Sequence, residues 1–202
     1  MTDRPEMTRR QMWDERHAAR EPIESRAPDA ALVDLAAALT PGCALDLAAG
    51  DGRHAVWLAS RGWSVTGVDF SGVALDRARA AAARAGVDVE WVHADLLEWT
   101  PPAASADLVV VMFLHLPLAE RRVVLAKAAG SLAPGGRLLV VGHDRANLGR
   151  DVPGPKDPGV LYTPEEVVAD LPGLVVEHAR RAEDDLGDGR VSTDTVVVAR
   201  RP

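Results

Sequence analysis

Residues 43–71 read CALDLAAGDGRHAVWLASRGWSVTGVDFS, and this stretch decides the fold. Cys43–Ala48 is a short apolar run of strand length, interrupted only by Asp46. Gly50 and Gly52 follow it and open a helical segment over 53–61, which Gly62 closes. A second apolar run, Ser64–Asp69, ends in an acid, and Ser71 is placed to cap the next helix. Strand, glycine turn, helix, strand is a βαβ unit, with parallel strands and a right-handed crossover.

Working outward, the alternation continues. Ser71–Ala85 reads as an alanine-rich helix ending at Gly86, and Val87–His93 as a third strand. Asp107–Phe113 is a nearly continuous apolar run, which suits a strand covered on both faces. Pro117–Leu132 is a helix with proline in its first turn, and the Pro134-Gly135-Gly136 turn introduces a fifth strand, Arg137–Gly142. Thr163 caps a short helix before Pro172-Gly173. Two more strands, Leu174–Arg180 and Val191–Arg200, flank the turn-rich Asp184–Gly189, so the sheet is expected to finish with an antiparallel pair. Residues 144–161 form a long Gly/Pro/Asp-rich loop, a type more often functional than idle. Upstream, Asp29 caps a helix to Leu39. Residues 1–28 form a polar arm with a helical stretch around Gln11–Arg20, ended by Pro22 and Pro28. The fold class is therefore α/β, with residues 29–202 as a single domain and 1–28 as an arm.

The 202-residue composition, 47% hydrophobic and 26% charged, is that of one globular domain. No apolar run approaches the roughly 18 residues of a membrane span, and the charged start lacks the apolar core of a secretory signal. A cytoplasmic protein without a membrane partner is expected. The net charge of −7 argues against nucleic acid as the main partner. One cysteine, Cys43, makes neither an internal disulfide nor a four-ligand zinc site.

The chemistry concentrates at three strand ends. Glycines at the turn after strand one let a ligand approach the backbone, and the following helix offers free N–H groups. Asp69 ends strand two, where an acid accepts hydrogen bonds from both hydroxyls of an adenosine ribose. Strand three ends in His93-Ala94-Asp95-Leu96. Each feature alone has a plainer reading: an empty tight turn, an N-cap acid, a loop acid. Three acids at three successive strand tips beside a glycine turn point to a nucleoside site. Asp51, inside the turn, repels a pyrophosphate but not a sulfonium cation.

These segments resemble the class I S-adenosylmethionine-dependent methyltransferases over about residues 40–202. ALDLAAGDGRHAVWLASRGWSVTGVDFS is similar to that family's first two motifs, HADLL to the third, ADLVVVMFLHLP to the fourth, and LAPGGRLLVV to the fifth-strand entry. The resemblance implies a Rossmann-like doubly wound seven-stranded sheet in the order 3-2-1-4-5-7-6, its C-terminal hairpin antiparallel, and S-adenosyl-L-methionine as cofactor. It implies that Gly50 and Gly52 bracket the methionine end and that Asp46 orients the amino group. It also implies that Asp69 holds the ribose beside Phe70, and that Ala94, Asp95 and Leu96 receive the adenine. Ala48 stands where the family has its first glycine, a tolerable change if its φ is negative. Within the family the layout is closest to the small tellurite-resistance and thiopurine-type branch, through the Trp13-Asp14-x-Arg16 arm, the run from Gly50 to Ala59, and the basic C-terminal hairpin.

That resemblance implies methyl transfer to a small-molecule acceptor such as a thiol, chalcogen oxyanion or heterocycle. Acceptor-site candidates follow strands four and five: His115 in FLHLP, then His143, Asp144 and Arg145. His115 and His143 are the candidate bases, and Arg145 a candidate for an anionic acceptor; capping and loop hydrogen bonding are their plainer roles. These residues are too few to form a metal site. Trp13, on the arm, is the tryptophan assigned to a lid over the cofactor; Trp57, Trp63, Trp91 and Trp99 read as packing residues. Two other readings stay open, an NAD-dependent oxidoreductase and a non-catalytic S-adenosylmethionine binder. The first lacks the full G-x-G-x-x-G spacing, since position 55 is alanine.

Overall fold

The computed structural model describes residues 7–19 and 27–202. Its elements are α1 (Arg9–Ala18), α2 (Ala30–Ala37), β1 (Cys43–Leu47), α3 (Arg53–Ser60), β2 (Ser64–Asp69), α4 (Gly72–Ala85), β3 (Glu90–His93), β4 (Ala106–Met112), α5 (Leu118–Ser131), β5 (Leu132–His143), α6 (Pro164–Ala169), β6 (Val175–Asp185) and β7 (Val191–Arg200). The strands make one seven-stranded sheet in the order β3-β2-β1-β4-β5-β7-β6. Pairing is parallel among β1 to β5, while β7 runs antiparallel to both β5 and β6. This is the expected Rossmann-like architecture. The strand order reverses between β1 and β4, the switch point at which sheets of this kind bind ligands.

Period-two alternation sends β4 side chains into two cores. Val109 and Val111 join the layer holding α5 residues, and Leu108, Val110 and Met112 join the layer holding α2 and α3 residues. A strand covered on both faces has no polar side to show, which is why it reads as an unbroken apolar run. Asp46 alternates with Leu45 and Leu47 and so shares the α3 side of β1 with Ala44. The edge strand β6 is mostly exposed and rich in charge, which discourages edge-to-edge association.

Several boundaries move for local reasons. α1 starts at Arg9 because Thr8 and Gln11 form a reciprocal capping box. The expected end of that stretch, Arg20 and Pro22, lies outside the described residues. Pro117 is the N-cap of α5 and not its first turn. β3 is shorter than expected and starts at Glu90. β5 pairing reaches back to Leu132 through a register shift opposite Ala106–Leu108. The last hairpin is longer than the apolar pattern shows, because β6 stays paired with β7 out to Asp185 opposite Val191.

Ala48 corrects one premise. Its φ is +63°, in the left-handed region, so alanine is not a small change from glycine here. A residue with a Cβ loses about 1–2 kcal/mol in that region, partly offset by its less flexible unfolded chain. Ala48→Gly is expected to stabilise the protein by about 1 kcal/mol, read as a midpoint 2–4 °C higher in thermal unfolding. An unchanged or lower midpoint would show that the Ala48 methyl packs well enough to repay the strain.

Candidate active site

The two turn glycines serve different neighbours. At Gly52, φ is +84° and a Cβ would come within 2.7 Å of Trp91 Cη2 and 2.9 Å of Ala78 Cβ. Glycine is needed there so that β3 and α4 can close on the turn. At Gly50, φ is +57° and a Cβ would point at His17 Cε1, 3.3 Å away, on α1.

Asp69 ties the turn to β2. Its carboxylate accepts from the Gly50 N–H at 2.8 Å and the Ser71 N–H at 2.9 Å. Burial pushes its pKa up, and these amides and that of Phe70 pull it back. Asp46 is fully buried, and neither carboxylate oxygen accepts a hydrogen bond of normal geometry, although the Ala55 N–H faces it. Burial first, then the charges of Asp69 and Asp51, push its pKa up to about 7. Asp51 is also buried. Three buried acids around one turn suit a cationic ligand and disfavour a pyrophosphate.

Past β3, the carbonyl of Asp69 accepts from the Ala94 N–H at 3.0 Å. Asp95 Oδ1 accepts from the Leu97 N–H at 2.9 Å, and the Asp95 carbonyl accepts from Trp99 at 2.7 Å. Lys127, on α5, donates to the carbonyls of Leu96, Leu97 and Trp99 at 3.0, 2.7 and 2.9 Å and clamps this loop. Nothing local in the sequence marks Lys127 for that task. Phe70 is half-buried, its carbonyl held by His93 Nε2 at 3.0 Å.

The arm helix α1 lies across these tips. His17 is buried against Gly50, Asp14 accepts from the Ser71 hydroxyl, and Arg9 pairs with Glu120 of α5 at 2.7 Å. His17, not Trp13, meets the glycine turn. The Trp13 ring lies between Arg16, 5.1 Å from its centroid, and His17 at 5.8 Å.

After β4, Phe113 has φ +56°, a strained conformation for a bulky residue. Its ring lies 5.2 Å from that of His143, and the Arg53 guanidinium stands 6.0 Å over it. Phe113 therefore links the start of α3 to the end of β5. His115 does not fit the base role. Its Nε2 accepts from the His143 backbone N–H at 3.0 Å, and its ring is stacked between His143 and Tyr162. Burial, then His143, pushes its pKa down to about 4, so it stays a neutral acceptor holding the backbone. Arg145 is turned to the loop, donating to Glu166 at 2.7 Å and to the Leu161 carbonyl at 3.1 Å. Asp144 is fully buried and accepts from the Ala146 N–H, Thr195 Oγ1 and Arg181. Only His143 of these candidates remains directed at the Phe113 side, with Asp194 3.0 Å from its Nδ1. Asp194 carries no local signal in the sequence; it meets His143 through sheet register, 51 residues away.

Comparison with known proteins agrees with this fold. Residues 44–136 match the family described as methyltransferase domain. An uncharacterised methyltransferase of Mycobacterium tuberculosis is 37% identical over 111 residues, which is 55% of each chain. Trans-aconitate 2-methyltransferase of Azoarcus is 32% identical over 186 residues, 84% of this chain and 66% of the relative. N-methyltransferase NodS of Bradyrhizobium japonicum, solved with S-adenosyl-L-homocysteine, shares the fold at TM-score 0.72 and 19% identity, covering 95% of this chain and 97% of its own. The chain spans about half the length of the curated relatives it matches first. Residues 44–136 carry a methyltransferase domain of the S-adenosylmethionine-dependent type, with S-adenosylmethionine as its cofactor.

Proposed function

We propose that the protein transfers the methyl group of S-adenosylmethionine to a small-molecule acceptor in the cytoplasm. The observation that carries this is the Asp46 carboxylate, fully buried beside the glycine turn with no hydrogen bond of normal geometry to either oxygen. A group so placed is costly to bury unless a cation completes it, and the cofactor's ammonium is such a cation. Asp69 and the Asp95–Trp99 loop would hold the ribose and adenine, and α1 would cover the turn through His17. When bound, the cofactor supplies a methyl group already activated on a sulfonium. The protein's task is then to align the acceptor and exclude water. Phe113, Arg53 and His143, at the tips of β4 and β5 beside α3, are the residues we assign to the acceptor. Placement in the tellurite-resistance and thiopurine-type branch rests on the arm, where Asp14 is engaged with Ser71.

Calorimetry with S-adenosylmethionine, S-adenosylhomocysteine and NAD tests the reading. Both S-adenosyl compounds should bind and NAD should not; NAD binding alone would overturn it. A product screen over thiols, chalcogen oxyanions, phenols and amines then separates an enzyme from a silent binder. Asp69→Ala is expected to weaken S-adenosylmethionine binding by about 1–3 kcal/mol, the cost of unpaired hydroxyls and a loosened Gly50 amide. Unchanged affinity in the same titration would place the ribose elsewhere.

A further inference from the structure

His143 is held from five sides. Its backbone N–H donates to His115, its ring stacks on that of His115 at 5.2 Å and 12°, and Phe113 lies across it. Gly154 of the long loop lies against the ring so closely that a Cβ there would come within 2.4 Å of His143 Cδ2 and 2.9 Å of Nε2. Asp194 Oδ1 meets Nδ1 at 3.0 Å, and His143 and Asp194 are direct neighbours in the β5–β7 register. The pair is thus built into the sheet and not left to a loop. Its side chains are 18% and 14% exposed, so the contact is shielded without being sealed. Among the described residues Nε2 makes no hydrogen bond.

We infer that Asp194 is the positioning residue for His143. A carboxylate accepts only, so in the neutral imidazole Nδ1 carries the proton and Nε2 presents its lone pair. His143 Nε2 then serves as the base for the acceptor. The acceptor is accordingly a molecule that gives up a proton at the reacting atom, such as a thiol, a hydroxyl or a ring N–H, and not a bare oxyanion. This rests on the methyl-transfer reading. The acceptor atom passes its proton to Nε2 and uses the electron pair it keeps to bond the methyl carbon. The pair of the broken carbon–sulfur bond stays on sulfur, and the imidazolium, paired with Asp194, releases its proton to solvent. The strain at Phe113 fits a residue fixed by its surroundings to floor that site.

The test uses the full chain labelled with 15N-histidine, and its Asp194→Asn variant. In the wild type, the nitrogen shifts of His143 should show Nδ1 protonated and Nε2 bare. The variant should move weight to the Nε2-protonated form, because the amide can donate to Nδ1. An Nε2-protonated wild type, or a variant with unchanged shifts, overturns the positioning role. Two thiols read the function: phenylmethanethiol, protonated at neutral pH, and 4-nitrobenzenethiol, already a thiolate. The variant should lose about a hundredfold or more in turnover of the first relative to the second, with S-adenosylmethionine affinity within about twofold. Equal loss on both thiols would mark a merely structural pair. Methylation of selenite and of neither thiol would overturn the acceptor class. Absence of S-adenosylmethionine binding by the wild type would overturn the methyl-transfer reading instead.

Discussion

Asp46→Asn is expected to bind S-adenosylmethionine about 10- to 100-fold more weakly, the worth of a charge-assisted hydrogen bond, and yet to be the more stable protein without it. The wild-type carboxyl is fully buried, accepts no hydrogen bond of normal geometry, and has its pKa pushed up by burial to about 7. The unfolded value lies near 3.9. Below about pH 4 both states hold the proton, and the carboxyl has no effect on stability. Between about 4 and 7 the folded state keeps a proton that the unfolded state has released, so stability falls as pH rises through that window. Above about 7 the full cost of a buried charge is present. The asparagine variant is neutral throughout, so its cofactor-free stability should exceed wild type by about 1–3 kcal/mol at pH 8 and by little at pH 4. The cofactor's ammonium favours the ionised carboxyl, so wild-type affinity should rise with pH through about 7 and the variant's should not. Denaturant titrations and calorimetry at the two pH values check both signs. An affinity unchanged by the substitution would remove Asp46 from the cofactor site.

Asp170→Ala should cost about 3–5 kcal/mol of stability. Asp170 follows α6, and its side chain is 1% exposed. Its Oδ2 accepts from Arg121 Nε and an Arg121 NH2 at 2.9 and 2.7 Å, and its Oδ1 from Arg122 Nε at 2.8 Å. The Arg122 side chain is 59% exposed and is readily re-solvated. Arg121 is 6% exposed, and its guanidinium stands 5.1 Å from the Tyr162 ring, so removing the acid leaves a buried charge unpaired. The thermal midpoint should drop by about 2–4 °C for each kcal/mol in a chain of this size. The damage should reach the acceptor side as well, because Tyr162 stacks on His115, which holds His143. Replacing Arg121 and Asp170 together by apolar residues should recover most of the loss, since the cost lies in the orphaned charge. A single-variant loss below about 1 kcal/mol would mean that water reaches Arg121.

Much of the proposed cofactor half was legible in the chain. Asp46, Gly50, Gly52, Asp69 and Asp95 stand at strand ends, and strand ends are written in local signals: an apolar run, a turn glycine, a capping serine. The acceptor half was not. His115 and His143 look alike in sequence, each within two residues of the end of an apolar run. The structure separates them because one ring nitrogen of His115 is spent on the His143 amide. Arg145 looked available until Glu166, 21 residues on, took it.

By itself, the sequence determined the alternation of strand and helix, the seven-stranded parallel-then-reversed sheet, and the acids gathered at its switch point. Periodicity and capping act over one to a few turns of chain, and a right-handed crossover leaves little freedom beyond that. Only the tertiary structure decided the sign of φ at Ala48, the seat of His17 on Gly50, the grip of Lys127 on the loop after β3, and the pairing of His143 with Asp194. Each depends on groups brought together from segments distant in the chain, or on a backbone bend imposed by its neighbours, and no local pattern records either.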